Sequence, residues 1–197
     1  MVEGATRSGV AAVQAAAAIH RGRAMTDVDG VEASKNVTKL PWVLRTDVVR
    51  EWPATVRIRV VERRPAAVTQ QDGAAWALVD RVGRVLAPAA TPPPGLVIVD
   101  GVPPAGAPGT QLVATAHGPL EVAAQLPPGL VPRVEKVTLG ADGVELRLKP
   151  LGVVQLGDAT AVADKLRAAQ TVLAAVDGRT VANLDVRIPA TPVLTRL

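Results

Sequence analysis

The chain has 197 residues, 48% of them apolar, which fits one or two small domains that bury a core without cross-links. It contains no cysteine, which excludes disulfides and thiolate chemistry. No apolar run approaches about 18 residues, so the sequence predicts no membrane span, and it predicts no signal peptide either.

The aromatic residues are three tryptophans, with no Phe and no Tyr. The core must therefore consist of Val, Leu, Ile and Ala. We expect Trp42, Trp52 and Trp76 to be its only large anchors.

The excess positive charge is concentrated in the first third of the chain. Residues 1–65 contain 11 Lys and Arg against 7 Asp and Glu, a net charge of +4, whereas residues 66–197 contain 11 against 11. Such an excess suits the binding of nucleic acid, an acidic partner or an anionic lipid surface. The ordinary alternative is that these arginines are scattered over the surface and are simply solvated. No aromatic residues alternate with the basic ones to stack on bases, which disfavours nucleic-acid binding.

Two helices are predicted within the first 65 residues. Ser8 is placed to cap the first helix, and Asp29 the second, where Glu32 three residues later gives the spacing of a capping box. Pro41 ends the second helix because it cannot continue the hydrogen-bond ladder. Helical spacing predicts two inward faces: Val10, Val13 and Ala17, then Ala33, Val37 and Leu40.

Three strands accompany these helices, at residues 1–4, 43–50 and 55–62, which gives the order β-α-α-β-β. Trp52 and Pro53 form the turn between the last two strands. Alternation predicts that Arg57 and Arg59 lie on the face opposite the apolar one, which meets either solvent or the neighbours of the second helix. It also predicts two apolar faces: Leu44, Thr46 and Val48 on one strand, and Val56, Ile58 and Val60 on the next.

From Pro65 onward Gly and Pro are dense, and the predicted strands are short. A short helix is predicted at residues 119–126. The longest helix begins at Asp158 as its cap and ends at Gly178, with an inward face of Val162, Leu166, Ala169, Leu173 and Val176. The predicted strands are 75–80, 85–88, 95–101, 133–140, 144–150, 152–157, 180–188 and 191–197.

Groups able to catalyse a reaction or hold a metal are few and dispersed. His20 and His117 lie in no ligand-spaced motif, and Asp27 and Asp29 precede a helix, where acids commonly act as caps. Residues 101–109 contain glycines but lack the Lys-Ser/Thr of a phosphate loop. Three further acids lie in or near turns with glycine: Asp80, Asp142 and Asp177. We therefore expect no enzyme, no cofactor and no metal site.

Four segments resemble, in order, the motifs of the FtsQ/DivIB family of bacterial cell-division proteins. The first, KLPWVLRTDVVREWPATVRIRVVERRPAA (39–67), has a helix that ends in a tryptophan turn, a strand that leads into WP, and a strand that ends in ERxP. The others are WALVDRVGRVL (76–86), GVVQLGDATAVADKLRAAQTVLAA (152–175) and NLDVRIPATPVLTR (183–196). The motif positions to which we assign structural roles are Trp42, Trp52, Pro53, Glu62, Arg63, Pro65, Asp80, Gly83, Gly157, Lys165 and Asp185.

This resemblance implies an α+β fold, with a POTRA domain at residues 1–65 and, at residues 66–197, a mixed β domain with a packed C-terminal helix. It implies a non-enzymatic scaffold that bridges early and late proteins of the divisome. The scaffold would bind FtsB/DivIC-type and FtsL-type proteins outside the cytoplasm and regulate septal peptidoglycan synthesis. The alternative is a POTRA-type binding module of another envelope assembly or secretion system.

The family resemblance also implies a location and a partner site. We expect a cytoplasmic tail and a single transmembrane helix to precede these residues, which are then the extracytoplasmic part of a cell-membrane protein at the septum. In the family, partners bind around the last helix and the C-terminal edge strand. The residues predicted to bind partners here are Arg187, Ile188, Val193, Leu194, Thr195, Arg196 and Leu197.

The mechanism that we expect is strand addition, because the edge of a sheet offers unpaired N–H and C=O groups. Pro189 and Pro192 lack an N–H donor, which restricts strand addition to residues 193–197 or to one direction along the edge. The alternative is an ordinary edge strand that its prolines protect. A separate expectation is that residues 1–65, with their net positive charge, rest against an anionic membrane surface.

Overall fold

The structure is a computed structural model, and it describes residues 1–71, 75–176 and 181–196. The chain divides into two compact units, Met1–Arg64 and Pro65–Leu197. No helix among the described residues is long and apolar enough to cross a membrane.

The first unit has the predicted order β-α-α-β-β. Its sheet has the order β1-β3-β2, with β1 parallel and β2 antiparallel to β3. A short 3-10 helix, Met25–Asp27, lies between the two α-helices. The elements are β1 (Val2–Glu3), α1 (Val10–Ala17), α2 (Gly30–Thr38), β2 (Val43–Glu51) and β3 (Thr55–Glu62).

Both helices pack against the sheet to form the core of the first unit. Asp29 caps α2 as predicted, because its carboxylate accepts hydrogen bonds from the backbone N–H groups of Val31 (2.9 Å) and Glu32 (3.0 Å). The inward face of β3 is also confirmed. The buried apolar residues of this unit include Val13, Ala17, Ala33, Val37, Val43, Ile58 and Val60.

The predicted cap of α1 is wrong. The helix begins after Gly9, which has a φ of 78° and provides no side-chain cap. Ser8 instead donates from its backbone N–H (2.7 Å) and its hydroxyl (2.6 Å) to the carboxylate of Glu62, at the end of β3. Val10, predicted on the inward face, is 49% exposed.

A second correction concerns β2. Alternation placed Leu44 on the same face as Thr46 and Val48, but Leu44 is exposed whereas the other two are half-buried. The register between β2 and β3 shifts between Val43 and Arg45, so Val43 is the residue that enters the core at this end. A single bulge reverses the faces on either side of it.

The second unit is built on one mixed sheet, for which the described residues supply nine strands. The order is β12-β11-β10-β9-β8-β7-β4-β5-β6, in which β10–β11, β7–β8 and β4–β7 are parallel pairs. The strands are β4 (Pro65–Gln70), β5 (Trp76–Asp80), β6 (Val85–Ala89), β7 (Val97–Asp100), β8 (Val134–Gly140), β9 (Gly143–Leu148), β10 (Val153–Gly157), β11 (Val181–Asp185) and β12 (Val193–Arg196).

The sequence did not predict β4, which lies in the interior of this sheet between β7 and β5. Pro65 was assigned only as the end of the preceding strand. It is in fact the first residue of β4, a position where a missing N–H donor is tolerated. Ala67 and Val68 are fully buried.

Helices α3 (His117–Gln125) and α4 (Val162–Ala174) contribute to the core of the second unit, which consists of Val, Leu and Ala side chains. Asp158 does not cap α4, which begins after Ala161 without a side-chain cap. The predicted C-cap, Gly178, lies outside the described residues. The inward face of α4 is confirmed by Val162, Leu166, Ala169 and Leu173, which are all buried.

The expectation that the three tryptophans anchor the core is wrong. Trp52 is 69% exposed at the turn between β2 and β3, and Trp42 and Trp76 are only half-buried. The largest fully buried side chains are leucines and valines. The predicted fold class, α+β with a POTRA domain followed by a mixed β domain, is confirmed.

Candidate partner-binding surface

Strand β12 is the outermost strand at one edge of the large sheet. It pairs antiparallel with β11, with Leu194 opposite Leu184 and Val193 opposite Asp185. No strand among the described residues pairs with its other side. Every second residue of β12 therefore points its backbone N–H and C=O groups away from the sheet, where another chain can pair with them.

The opposite edge, at β6, is blocked in two ways. Val85 at the start of β6 exchanges backbone hydrogen bonds with residues of a following loop: its N–H donates to Thr110 (2.9 Å) and its C=O accepts from Gly109 (2.8 Å). Further along β6, Pro88 has no N–H to offer. Of the two edges, the one at β12 is thus the better suited to accept an added strand.

Side chains of β12 alternate between the core and the surface. Leu194 is half-buried and packs against the core, whereas Val193 is 62% exposed. Thr195 and Arg196 are exposed. Ile188, in the connection from β11, is 66% exposed. Two large apolar side chains are therefore presented to solvent beside an open edge.

An open groove of about 470 Å³ lies between α4 and the connection from β11 to β12. One wall is the outward face of α4, and the other is the turn that the hydrogen bond from the Thr191 N–H to the Ile188 carbonyl (3.1 Å) closes. Its lining includes Ala168, Thr171, Val172, Pro189, Ala190 and Pro192. Asp164 and Arg167, which pair with each other at 2.7 Å, also line the groove. Apart from this pair the lining side chains are small or apolar, so that part of the groove suits an apolar side chain of a partner.

Arg187 is fixed in place beside this surface. Its guanidinium donates to the Asp185 carboxylate at 3.1, 2.9 and 2.6 Å, and its backbone N–H donates to the same carboxylate at 2.9 Å. These contacts, led by the guanidinium, lower the pKa of the Asp185 carboxyl and raise that of Arg187. The stem of Arg187 lies over Gly157, where a Cβ would approach its Cγ to 3.0 Å. Gly157 and Asp185 therefore set the direction of this arginine.

Lys165 lies on the inward side of α4, and only 3% of it is exposed. Its ammonium donates to the backbone carbonyl (3.0 Å) and the carboxylate (2.6 Å) of Asp158. The Lys165 ammonium, together with donors from Thr160, lowers the pKa of Asp158 to about 2. This pair ties the start of α4 to the end of β10 and so helps to position one wall of the groove.

The remaining motif residues of the second unit hold a hairpin. Asp80 is buried, and its carboxylate accepts from the backbone N–H groups of Val82 (3.0 Å) and Arg84 (2.8 Å). Gly83 has a φ of 85°, which favours glycine. These two residues form the turn between β5 and β6, far along the sheet from β12.

In the first unit the motif residues join the helices to the sheet. The Arg7 guanidinium lies 4.8 Å from the centre of the Trp42 ring, and the Arg63 side chain donates to the Val43 carbonyl (3.0 Å). Glu62 is partly buried, which raises its pKa, but the donors from Ser8 and Arg7 outweigh this and lower it overall. These contacts are structural, because they hold the helices and the sheet of the first unit together.

Among the predicted partner-binding residues, the structure brings Val193, Leu194, Thr195 and Arg196 together on β12. Arg187 and Ile188 lie in the connection before it, and Leu197 lies outside the described residues. The family resemblance implied the last helix as part of the partner site, but sequence reasoning named no residue of α4 as partner-binding. The signal was present as small side chains on the outward face of that helix: Ala168, Thr171 and Val172.

Two family models match the chain. The model of the POTRA domain, FtsQ-type, matches residues 1–63, and the model of Cell division protein FtsQ/DivIB, C-terminal, matches residues 67–187. Each match lies within one compact unit, and the second match ends before β12.

Curated relatives agree with these matches, and each carries the name Cell division protein FtsQ. The protein of Streptomyces griseus is 29% identical over 190 residues, which are 93% of this chain and 88% of that protein. That of Corynebacterium glutamicum is 35% identical over 101 residues, 51% of this chain but 44% of that protein. That of Mycobacteroides abscessus is 35% identical over 126 residues, 64% of this chain but 38% of that protein. The chain belongs to the FtsQ/DivIB family of cell division proteins.

Proposed function

We propose that this chain is a non-enzymatic scaffold of the divisome that binds FtsB/DivIC-type and FtsL-type proteins through the open edge of its large sheet. It acts outside the cytoplasm at the division septum, where it bridges early and late division proteins. Membership of a non-catalytic division family supports the role in cell division. The observation that carries the binding mode is the outer side of β12, which pairs with no strand in the described part of the chain, beside two exposed apolar side chains.

Binding proceeds by strand addition. An extended segment of the partner pairs with β12, and the backbone hydrogen bonds supply affinity without demanding a particular sequence. Alternate side chains of the added strand supply specificity. The partner side chains on one face of the added strand cover Val193, which is 62% exposed. A neighbouring apolar side chain of the partner enters the groove beside Ala168 and Val172.

The alternative of a POTRA-type module from another assembly or secretion system finds no support beyond the first unit. The second unit matches the C-terminal model of FtsQ/DivIB over residues 67–187, which are most of its length. That match favours a division protein over a module from another system.

Removal of the edge strand tests the proposal. A chain that ends at Pro189 should lose binding to an FtsB/DivIC-type partner in a pull-down, because both β12 and one wall of the groove are gone. Heteronuclear NMR spectra of residues 1–64 in this variant should match those of the full chain, which shows that the first unit is intact. If the shortened chain still captures the partner, strand addition at β12 is wrong.

Hydrogen exchange provides a second test that does not depend on a truncated protein. Amides of an edge strand that face solvent exchange readily, whereas amides paired with an added strand are protected. Addition of the partner to the intact chain should slow exchange within residues 193–196 and leave the residues of β6 unchanged. If the partner protects amides at β6 and none at β12, the interface lies at the β6 edge and strand addition at β12 is wrong.

A further inference from the structure

The first unit contains a cavity of about 660 Å³ that the proposed strand addition does not use. Its walls come from the connection between α1 and α2, residues 19–25, and from the start of β3, residues 54–58. The inner wall is apolar and includes Ile19, Met25 and the almost fully buried Ile58.

The rim of this cavity is basic. Arg21 and Arg23 are exposed, and neither pairs with a carboxylate among residues 1–71. Of the described residues that line the cavity, none carries a carboxylate. The acids nearest in sequence are engaged elsewhere, since Glu3 pairs with Arg57 and Asp27 lines a separate groove beside α2. The electrostatic field at the mouth is therefore positive and attracts anions.

Exposed apolar side chains adjoin this basic rim. Trp52 is 69% exposed, and it lies in the same turn as Ala54, which lines the cavity. Met1 lines the cavity and is 65% exposed. A tryptophan has an apolar ring and a polar N–H, and such side chains settle at the boundary between lipid and water. A soluble phosphate or nucleotide would leave these side chains in water.

We propose that this end of the first unit is a docking surface for a bilayer that contains anionic phospholipid. Arg21 and Arg23 contact the lipid phosphates, a headgroup occupies the mouth of the cavity, and Trp52 inserts at the level of the headgroups. The surface lies in the unit that does not contain β12, so a test of lipid binding does not depend on whether strand addition occurs.

Vesicle flotation with the full chain of 197 residues tests the surface. The chain should float with vesicles of phosphatidylcholine and phosphatidylglycerol but not with phosphatidylcholine alone. In the double variant Arg21→Gln/Arg23→Gln the partition coefficient should fall roughly 30-fold, which is about 1 kcal/mol for each cation converted at about 1.4 kcal/mol per tenfold.

The matched control is Arg45→Gln/Arg64→Gln, which removes the same charge from exposed positions that do not line the cavity. Its partition coefficient should stay within a factor of about 3, because screening limits the attraction of distant charges to roughly 8–10 Å. An equal loss in both double variants would mean that only net charge matters, and the proposal would be wrong.

Tryptophan fluorescence reports insertion directly. The emission should shift to shorter wavelength on addition of the anionic vesicles, and Trp52→Gln should remove that shift. The absence of a shift in the unaltered chain overturns the placement of Trp52. If the chain binds both vesicle types equally, the proposal as a whole is wrong. If it binds a polyglutamate peptide but neither vesicle, the proposal is also wrong, and the surface is assigned to an acidic peptide.

Discussion

Replacement of Val193 by aspartate at the C-terminal edge should weaken partner binding while it leaves the free protein folded. Val193 is the exposed apolar residue of β12, and it lies opposite Asp185 in the register with β11. A partner strand that adds to β12 covers this position. A charge introduced here therefore lies in solvent in the free protein but at the interface in the complex.

The size of the effect follows from the exposure of the side chain. Complete burial of a valine side chain contributes about 1.5–3 kcal/mol. Because Val193 is 62% exposed, its coverage by a partner contributes roughly 1–2 kcal/mol. An aspartate loses this gain and costs at least about 1 kcal/mol more for desolvation. We expect partner binding to weaken roughly 30- to 150-fold, the equivalent of about 2–3 kcal/mol.

Isothermal titration calorimetry with the FtsB/DivIC-type partner measures this change, and urea denaturation measures the stability of the free protein. The free energy of unfolding should fall by less than about 1 kcal/mol, since the position is exposed. The control is Val113→Asp, at a valine that is 47% exposed and distant in sequence from β12. If Val193→Asp binds as tightly as the unaltered chain, or if both variants lose binding equally, the interface does not lie at β12.

Three further predictions concern the stability of the second unit. Leu184→Ala should lower the free energy of unfolding by about 2–5 kcal/mol in urea denaturation, since Leu184 is fully buried opposite Leu194. Gly83→Ala should lower the free energy of unfolding by about 1–2 kcal/mol in the same assay, because alanine disfavours a φ of 85°. The folded pKa of Asp158 is about 2, below its usual 3.8, so its contribution to stability is complete above pH 3.8 and is lost as the pH falls toward 2. Asp158→Asn should make the urea midpoint less dependent on pH in that window, and an unchanged slope would contradict the pairing with Lys165.

Features that depend on short-range pattern were predicted from the sequence. The alternation of Val56, Ile58 and Val60 defined both the strand and its buried face, since successive side chains of a strand point to opposite sides. Asp29 followed by Glu32 located the start of α2, because the cap and the amides that it binds lie within one turn. In both cases the interacting groups lie within a few residues of one another.

Predictions of helix caps failed where a more distant partner was available. Ser8 was assigned as a cap, but it donates to Glu62, which is 54 residues away in sequence. Asp158 was also assigned as a cap, but it pairs with Lys165 instead. A polar side chain next to a helix satisfies the cap pattern in either case, and only the folded arrangement shows which hydrogen-bond partner it has.

Long-range pairing also explains the strand that the sequence did not reveal. The segment PAAVTQ begins with proline and contains two alanines, both poor signals for a strand. Its stability comes from its neighbours, because β4 pairs with β5 on one side and parallel with β7 on the other. Parallel partners are distant in sequence, so local composition carries little information about them.

The candidate site was predicted only in part for the same reason. Residues 191–197 were recognised as the last strand, and the family resemblance drew attention to them. That β12 lies at the edge, and that α4 and the prolines before β12 enclose a groove, follows from the order of the sheet rather than from any local motif. Ala168 and Val172 gained a role only when the structure placed them beside Pro192.

The prolines near β12 define where a partner can pair rather than prevent pairing. Pro88 lies within β6, so it interrupts the hydrogen-bonding edge of that strand itself. Pro192 instead immediately precedes β12, and Val193–Arg196 contain no proline, so every outward-facing residue of this strand has an N–H to donate. Pairing with an added strand is therefore limited to Val193 and the residues after it, and a partner segment that extends past Val193 comes near the groove that Pro192 lines. A four-residue ladder is short, so contacts in the groove must supply much of the specificity. On this argument, substitutions of Val172 should alter the choice of partner more than substitutions of Thr195 do.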